Sequence, residues 1–136
     1  KDQFQYILHE YIDRWHGKHP TPYDFFYTVE DCLDQDLSWL WNPLFFEFGY
    51  PDLAIEQVKE NEVVIKKVGV VPVPVKLTVT YSDGSTQVFE RNIQVWQQQD
   101  DQVSFQLPVK KKVIAAELGD VNIPDANQDN NFYRVK

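Results

Sequence analysis

The chain has 136 residues, of which 43% are hydrophobic and 15% aromatic, and its formal net charge at pH 7 is −8. This length suits one ordinary domain, or one compact domain with an appendage, but not two complete domains. No apolar run approaches the roughly 20 residues that span a bilayer. The acidic balance argues against nucleic acid as a partner, because phosphate binding relies on Lys and Arg.

The composition of the chain changes near Pro51. Residues 1–60 contain 12 Asp and Glu against 4 Lys and Arg, whereas residues 61–136 contain 9 of each. The first 50 residues hold 14 of the 20 aromatic residues, and 16 of the 17 valines lie at or beyond Val58. We therefore expect two regions, residues 1–50 and 51–136.

Residues 1–50 have the apolar spacing of amphipathic helices. A first helix is predicted to stop at Gly17, and Thr21 and Pro22 are the expected N-cap and first residue of a second. Asp36 is the expected N-cap of a third helix, which Pro43 should kink or interrupt. The predicted apolar stripes are Phe4, Ile7, Leu8, Tyr11, Ile12 and Trp15; then Phe25, Phe26, Val29, Cys32 and Leu33; then Leu37, Leu40, Trp41, Leu44, Phe45 and Phe48.

The third predicted helix is apolar on two faces, because Trp39 and Phe46 lie opposite its main stripe. A helix of this kind is normally buried on both sides. We expect Trp39 and Phe46 to pack on material outside this chain, or to mediate self-association. The alternative is that the second region covers them.

Beyond Pro51 the apolar period changes from 3.6 to 2, which is typical of half-buried strands. Asp83-Gly84 supplies turn chemistry for a hairpin, and Phe89, Ile93 and Val95 are expected to continue the inward face on its return strand. Strands are predicted near residues 53–58, 62–68, 73–81, 86–96, 102–108, 112–118 and 131–135. The predicted fold class is α+β: a short segment of two or three helices followed by a seven-stranded immunoglobulin-like antiparallel β-sandwich.

Two cysteine and histidine features are weak candidates for chemistry. Cys32 is the one cysteine in the sequence, which excludes an internal disulfide, and inert packing is its expected role. Residues 9–13 begin like the helical zinc motif H-E-x-x-H, but Asp13 stands where the second His belongs. His9, Asp13 and His16 share one polar helix face, for which we expect solvation; adventitious metal binding is the alternative.

Oxygen-bearing side chains alternate at Asp125, Asn127, Asp129 and Asn131, as in a calcium loop. The pattern departs from that loop, because Asn130 replaces the glycine of the sharp turn and no bidentate Glu follows. Ordinary turn chemistry explains the same residues. We therefore predict a turn, with calcium as the alternative, and no catalytic residue, metal site or cofactor in this chain.

The second region offers two further surface candidates. Lys110, Lys111 and Lys112 form a basic run that we interpret as protection of a strand edge, with a ligand patch as the alternative. Trp96, Phe132 and Tyr133 are candidates for an exposed aromatic platform, although each could equally fill the core.

Residues 15–26 (WHGKHPTPYDFF) and 36–46 (DLSWLWNPLFF) resemble the end of the catalytic domain in gluzincin aminopeptidases of the membrane alanyl aminopeptidase type. Residues 71–75 (VPVPV), 81–85 (YSDGS) and 123–131 (IPDANQDNN) are similar to the β-domain that follows in bacterial members. The resemblance implies that residues 1–50 are the terminal helices of a thermolysin-like domain and that residues 51–136 are an adjoining structural module.

What the resemblance implies for function concerns a longer parent protein, a zinc-dependent metallopeptidase that removes N-terminal residues from peptides. The family's zinc ligands, catalytic Glu and substrate loop lie upstream and have no counterpart in this sequence. Asp36 would keep a capping role, and Trp39 and Trp41 would pack within or beside the helical domain. The chain has no Met and opens on Lys1, so we expect a piece of a larger protein whose partner is the upstream catalytic domain.

Two hypotheses of function follow. The first is a non-catalytic C-terminal part of such an aminopeptidase-like protein. The second is an independent β-sandwich module that binds a peptide, a glycan or a protein partner, with a calcium-stabilised adhesion module as a variant. The family includes secreted, periplasmic and cytosolic members, so the compartment stays open, with an extracytoplasmic one favoured.

Overall fold

The computed structural model describes residues 2–98, 100–108 and 111–135. The chain folds into two compact units, Lys1–Trp41 and Asn42–Lys136. The boundary between the units therefore lies before Pro51, the position near which the composition changes. The first unit is helical and the second contains all the described strands, so the α+β class predicted from the sequence is confirmed.

Helix α1 spans Asp2–Trp15 and helix α2 spans Pro22–Leu33. The chain leaves α1 through Gly17, whose φ of 71° is a left-handed conformation that glycine adopts without strain. At the start of α2 the predicted cap is confirmed, because Asp24 Oδ2 accepts hydrogen bonds from Thr21 N–H at 2.7 Å and from Thr21 Oγ1 at 2.8 Å. Local chemistry therefore sets both helix ends.

The helical unit has a small core. Its buried cluster consists of Ile7, Val29 and Leu37, which are 5%, 7% and 9% exposed. Partly buried side chains pack around it, namely Phe25, Cys32, Leu33, Trp39 and Trp41. The predicted core face of α2 is thus confirmed, and Cys32 has the packing role expected of it.

The third helix is short, as the position of Pro43 in the sequence predicts. Helix α3 spans only Ser38–Trp41, and a π-helical turn, Asn42–Phe46, follows it. Glu47 N–H donates to Asn42 O at 2.9 Å across five residues. Proline has no N–H to donate and its ring displaces the preceding turn, so the α-helical ladder cannot pass through this position.

The second unit contains seven antiparallel strands among its described residues, arranged in two sheets. The strands are β1 (Leu53–Val58), β2 (Glu62–Lys67), β3 (Val75–Tyr81), β4 (Thr86–Arg91), β5 (Gln102–Gln106), β6 (Val113–Leu118) and β7 (Phe132–Arg134). One sheet has the order β1-β2-β5 and the other has the order β4-β3-β6-β7. The number of strands and most of their bounds agree with the prediction.

Alternation along β3 places its residues in the core. Val75, Leu77, Val79 and Tyr81 are at most 1% exposed, while the residues between them are half-buried. One ring contact joins the two sheets, because the half-buried Phe89 on β4 lies 5.7 Å from the buried Phe105 on β5, measured between ring centres. The period-2 pattern therefore marks the inner face of the unit.

The predicted return strand 86–96 is wrong beyond Arg91. Residues Ile93–Trp96 form a 3₁₀ helix, because Asn92 Oδ1 accepts a hydrogen bond from Gln94 N–H at 3.1 Å and starts the turn. Trp96 ends the turn 2% exposed, with its Nε1–H donating to Val73 O at 2.8 Å. Ile93 and Val95 thus leave the sheet.

The connection between β2 and β3 packs tightly on the chain before β1. The N–H groups of Val68 and Gly69 donate to Asp52 O at 2.8 and 2.9 Å. A Cβ at position 69 would overlap the carbonyl oxygen of Tyr50 and lie 2.7 Å from Asp52 N. Glycine is required here because two backbone segments approach within contact distance.

None of the helices in residues 2–98, 100–108 and 111–135 is long and apolar enough to cross a membrane.

Candidate functional site

The residues predicted to contact an outside partner, Trp39 and Phe46, differ in their surroundings. Trp39 is half-buried against the cluster of the helical unit, and its Nε1 is buried without a hydrogen-bond partner among the described residues. Phe46 lies in the π-helical turn and is 49% exposed. Phe46 therefore presents apolar surface, whereas Trp39 serves mainly the local core.

Residues 44–50 form the most exposed apolar stretch of the second unit, which we call the aromatic segment. Phe48 is fully exposed at 103%. The other large side chains of the segment are 44 to 61% exposed, namely Leu44, Phe45, Phe46 and Tyr50. Five large apolar side chains exposed within seven residues are a candidate interaction site, whereas apolar residues exposed singly are ordinary.

The helical unit also exposes apolar side chains. Phe4 and Ile12, which belong to the predicted stripe of α1, are 60% and 56% exposed. On α2, Tyr23 and Tyr27 are 52% and 65% exposed. Only the middle of the α1 stripe is buried, at Ile7, because two helices and one helical turn cannot cover its full length.

The polar face of α1 is solvated. His9, Asp13 and His16 are exposed. Arg14 on the same helix pairs with Glu10 at 3.3 Å and with Asp31 of α2 at 2.6 Å. The described residues contain no group of three or more His, Cys, Asp or Glu side chains that could hold a metal ion.

Lys111, a member of the predicted basic run, contacts the β3–β4 hairpin turn. Lys110 lies outside the described residues. Lys111 Nζ donates to Ser85 Oγ at 2.7 Å, lies 3.1 Å from Asp83 Oδ2, and sits 5.2 Å from the centre of the Tyr81 ring. Hydrogen bonds from Ser85, together with Lys111, lower the pKa of Asp83 to about 2. Burial raises the pKa of Tyr81.

Lys111 and Lys112 also line a cavity of about 830 Å³, together with Val58 and Tyr133. Because the ammonium of Lys111 is already paired with Asp83, its charge is largely committed to the turn. Tyr133 is half-buried, Trp96 is buried and Phe132 is 63% exposed. Of the three candidates for an aromatic platform, Trp96 therefore takes the alternative of filling the core, and Phe132 is the most exposed.

The four residues named for the calcium alternative separate into two groups. Asp125 Oδ1 accepts from Asn127 N–H at 2.9 Å, and Asn127 Oδ1 accepts from Asp129 N–H at 3.3 Å. Asn127 and Asp129 are exposed and perform the turn chemistry expected at the start of a 3₁₀ helix, Gln128–Asn130. Asn131, by contrast, is only 3% exposed.

The same loop is bound to the chain before β1. Asp125 Oδ2 accepts from Leu53 N–H at 3.0 Å, and Ala126 N–H donates to Pro51 O at 2.9 Å. Asn130 Nδ2 donates to Oδ1 of Asp52, a carboxylate in a residue that is 6% exposed, at 3.0 Å. Spacing along the sequence gave no signal for Asp52, because its partner is 78 positions away.

No protein-family model matches this chain, and no curated protein matches it either.

Proposed function

We propose that this chain is a non-catalytic structural module of a zinc aminopeptidase-like protein of the gluzincin type, located after its catalytic domain. The observation that supports this proposal is the exposed apolar surface of the aromatic segment, residues 44–50. Part of this segment, residues 44–46, belongs to the stretch that resembles that family. The upstream domain of the same polypeptide would supply the zinc site and cover the segment.

The energetic argument rests on how much apolar area is left in water. Fully burying a Phe side chain stabilises a protein by about 1.5 to 3 kcal/mol. The aromatic segment exposes several such side chains side by side, with Phe48 at 103% and Phe45 at 61%. A docked domain that covered them would gain several kilocalories per mole in this way, before the costs of ordering.

A peptidase assay tests whether this chain is non-catalytic and the upstream domain carries the zinc site. We expect the purified chain, supplied with zinc, to release no fluorophore from aminoacyl-7-amido-4-methylcoumarin substrates. The coding sequence upstream should contain H-E-x-x-H followed by a third ligand, Glu. Hydrolysis that co-elutes with the isolated chain, or an upstream sequence without this motif, contradicts the proposal.

The aromatic segment can be tested in the chain alone, by analytical ultracentrifugation. The wild-type chain should self-associate through its uncovered apolar surface, and Phe48→Ser should shift it toward the monomer. Val121→Ser is the matched control, because Val121 is 99% exposed as a single residue elsewhere in the second unit. A monomeric wild-type chain, or equal effects of both substitutions, argues against a docking role.

The immunoglobulin-like sandwich is part of the same proposal. In a constant-type immunoglobulin domain the strand orders are 1-2-5-4 and 3-6-7. The orders β1-β2-β5 and β4-β3-β6-β7 differ only in the sheet that the fourth strand joins. Nuclear Overhauser contacts between the rings of Phe89 and Phe105, which are 5.7 Å apart, are expected for facing sheets. Their absence would overturn the assignment.

A second candidate function is an independent binding module for a peptide, a glycan or a protein. Phe132 on β7 favours it, being 63% exposed beside Glu117 of β6, which in turn pairs with Thr78 of β3. These residues and Arg134 line a cavity of about 470 Å³. Peptide and glycan arrays should then give a ligand whose binding Phe132→Ala removes and Val121→Ala retains. Equal binding by both variants excludes this surface.

A further inference from the structure

Strand β4 lies at the edge of its sheet. In the order β4-β3-β6-β7 it pairs with β3 on one side, and on its other side no strand of the described residues pairs with it. An edge strand of this kind presents unpaired N–H and C=O groups, which can bind a further strand. The open side of β4 is therefore a candidate docking surface within the second unit.

The hydrogen bonds of β3 show which backbone groups of β4 point to that open side. In an antiparallel sheet the N–H and C=O groups of successive residues point to opposite sides of the strand. Tyr81 N–H donates to Ser85 O, toward β4, at 2.9 Å, whereas Lys76 O accepts from Gly119 N–H, directly after β6, at 2.8 Å. The odd-numbered residues of β3 therefore bond to β4, and the even-numbered ones bond to β6.

The register of the β3–β4 pair then sorts the residues of β4 into two sets. The odd-numbered residues of β3 lie opposite three residues of β4, namely Gln87, Phe89 and Arg91. The alternate residues point their N–H and C=O groups away from the sheet, namely Thr86, Val88 and Glu90. These three residues are exposed, and the apolar one, Val88, is 52% exposed. Strand β4 thus offers a regular row of donors and acceptors with an apolar side chain at its centre.

The other edge strands of the described chain lack this combination. Strand β1 has a register shift between Ile55 and Gln57, and β7 has only three residues. The exposed residues of β5 are all polar, namely Gln102, Ser104 and Gln106. Irregular and short strands resist pairing at an edge. Strand β4, by contrast, pairs with β3 over its six residues without a register shift.

We propose that the open edge of β4 binds β4 of a second copy of this chain, antiparallel, about a two-fold axis at Val88. Val88 lies opposite Val88 of the second copy in this arrangement, and Thr86 lies opposite its Glu90. Each of the three residue pairs exchanges two N–H···O hydrogen bonds, so every outward group of the strand gains a partner. A two-fold contact of this kind uses the same surface on both copies and closes as a dimer.

The sequence of β4 favours this register and this occupant. Two valines face each other on the axis, and each Glu90 faces an uncharged Thr86, so that no like charges are opposed. An axis at Gln87 or Phe89 leaves one outward residue without a partner in the strand, and an axis at Glu90 opposes two carboxylates. A second copy supplies the matching pattern by symmetry, whereas a strand of another protein would need that pattern in its own sequence.

The first experiment measures the oligomeric state of the full chain carrying Phe48→Ser. This background removes the exposed aromatic side chain proposed above to dock elsewhere, so the two surfaces are tested separately. We expect sedimentation equilibrium to show a monomer and dimer in exchange at about 100 μM and above, because the interface of one strand pair is small.

Two lysine variants in this background locate the contact. Val88→Lys places two ammonium groups opposite each other on the axis and should raise the dissociation constant about tenfold or more. Val121→Lys is the matched control, because it makes the same change of charge at a single residue that is 99% exposed elsewhere in the second unit. Its dissociation constant should be unchanged.

Disulfide cross-linking tests the register. In a chain that also carries Cys32→Ala, Val88→Cys brings two cysteines together across the axis with about 5.5 Å between their Cα atoms, a separation that a disulfide spans. Air oxidation should therefore give a covalent dimer. Thr86→Cys is the control on the same edge, because its copies lie four residues apart along the strands, more than about 13 Å.

The proposal is overturned if the Phe48→Ser chain is a monomer at about 1 mM, an outcome that leaves the docking role of the aromatic segment intact. It is equally overturned if Val121→Lys weakens the dimer as much as Val88→Lys, or if Thr86→Cys cross-links as fast as Val88→Cys. Should Val88→Lys fail to fold, as judged by circular dichroism, the two cysteine variants decide the question.

Discussion

The two units of this chain bury their apolar residues to different degrees. In the strand unit, Val63, Ile65, Leu77 and Val79 are all 0% exposed. In the helical unit, the most buried apolar residue is Ile7 at 5%, and large side chains such as Phe4 remain 60% exposed. The strand unit therefore has a core of near-zero exposure, whereas the buried cluster of the helical unit is small.

The difference follows from how each element covers its apolar face. The strands bury alternate residues, as at Leu77 and Val79 of β3, so a core of near-zero exposure forms within one unit. Two helices and a single helical turn cover only one side of each helix. The helical unit should therefore be the less stable of the two and the one that gains most from an additional layer.

The largest expected effect lies in the strand unit. Leu77→Ala removes a side chain that is 0% exposed and should lower the free energy of unfolding by about 3 kcal/mol. Ile7→Ala, the matched change in the helical unit, should cost about 2 kcal/mol or less, since the surroundings can relax. Urea denaturation followed by circular dichroism measures both, and a larger effect at Ile7 would reverse the comparison.

The next effect concerns buried tryptophan hydrogen bonds. Trp96→Phe removes the Nε1–H that donates to Val73 O at 2.8 Å and leaves this carbonyl unpaired, so we expect a loss of about 1 to 2 kcal/mol. Trp15→Phe in the helical unit removes a longer bond to Thr28 Oγ1, at 3.3 Å, from a half-buried side chain. The loss of stability from Trp15→Phe should therefore be smaller than that from Trp96→Phe. Equal losses of stability in thermal unfolding would contradict the expected difference between the two tryptophan hydrogen bonds.

The capping box of α2 gives a smaller effect. Thr21→Ala removes one of the two hydrogen bonds to Asp24 and should destabilise the helical unit by about 1 kcal/mol. Thr21→Ser keeps the hydroxyl and should restore most of the loss. Helix content measured by circular dichroism at rising temperature reports both variants. An unchanged melting curve for Thr21→Ala would show that this cap does not contribute to the stability of the helical unit.

The smallest effect is the pH dependence of the β3–β4 turn. The folded pKa of Asp83 is lowered to about 2, below its ordinary value of 3.8, so the turn contributes stability above about pH 4. This contribution is lost as the pH falls from about 4 to about 2. The melting temperatures of wild type and Asp83→Asn should converge across this window. Asp100→Asn, at an exposed position outside the turn, is the control.

Local sequence signals predicted much of this fold. The spacing of apolar residues predicted α1 and α2, and the chemistry of Thr21, Pro22 and Gly17 predicted their ends. Period-2 alternation predicted the core face of β3, and the bounds predicted for the first strand, 53–58, agree with β1. These features depend on neighbours within a few positions, which a single sequence displays.

Features that depend on distant partners were not predictable in the same way. Residues 93–96 alternate like a strand, but they form a 3₁₀ turn that the Asn92 cap starts, and Trp96 at its end hydrogen-bonds to the carbonyl of Val73, 23 positions away. Linear spacing also grouped Asn127 and Asp129 with Asn131, although the first two bind their own turn. The pairing of Asn130 with Asp52 has no local signature at all.

The clamping of the chain before β1 has a mechanical consequence. Pro51, Asp52 and Leu53 are held from one side by the β2–β3 connection and from the other by the β6–β7 loop, through hydrogen bonds of 2.8 to 3.0 Å. A pulling force on the preceding residues would be resisted by hydrogen bonds to two separate segments of the chain. The strand unit is therefore anchored at its first residues, where a tether would bear the strain.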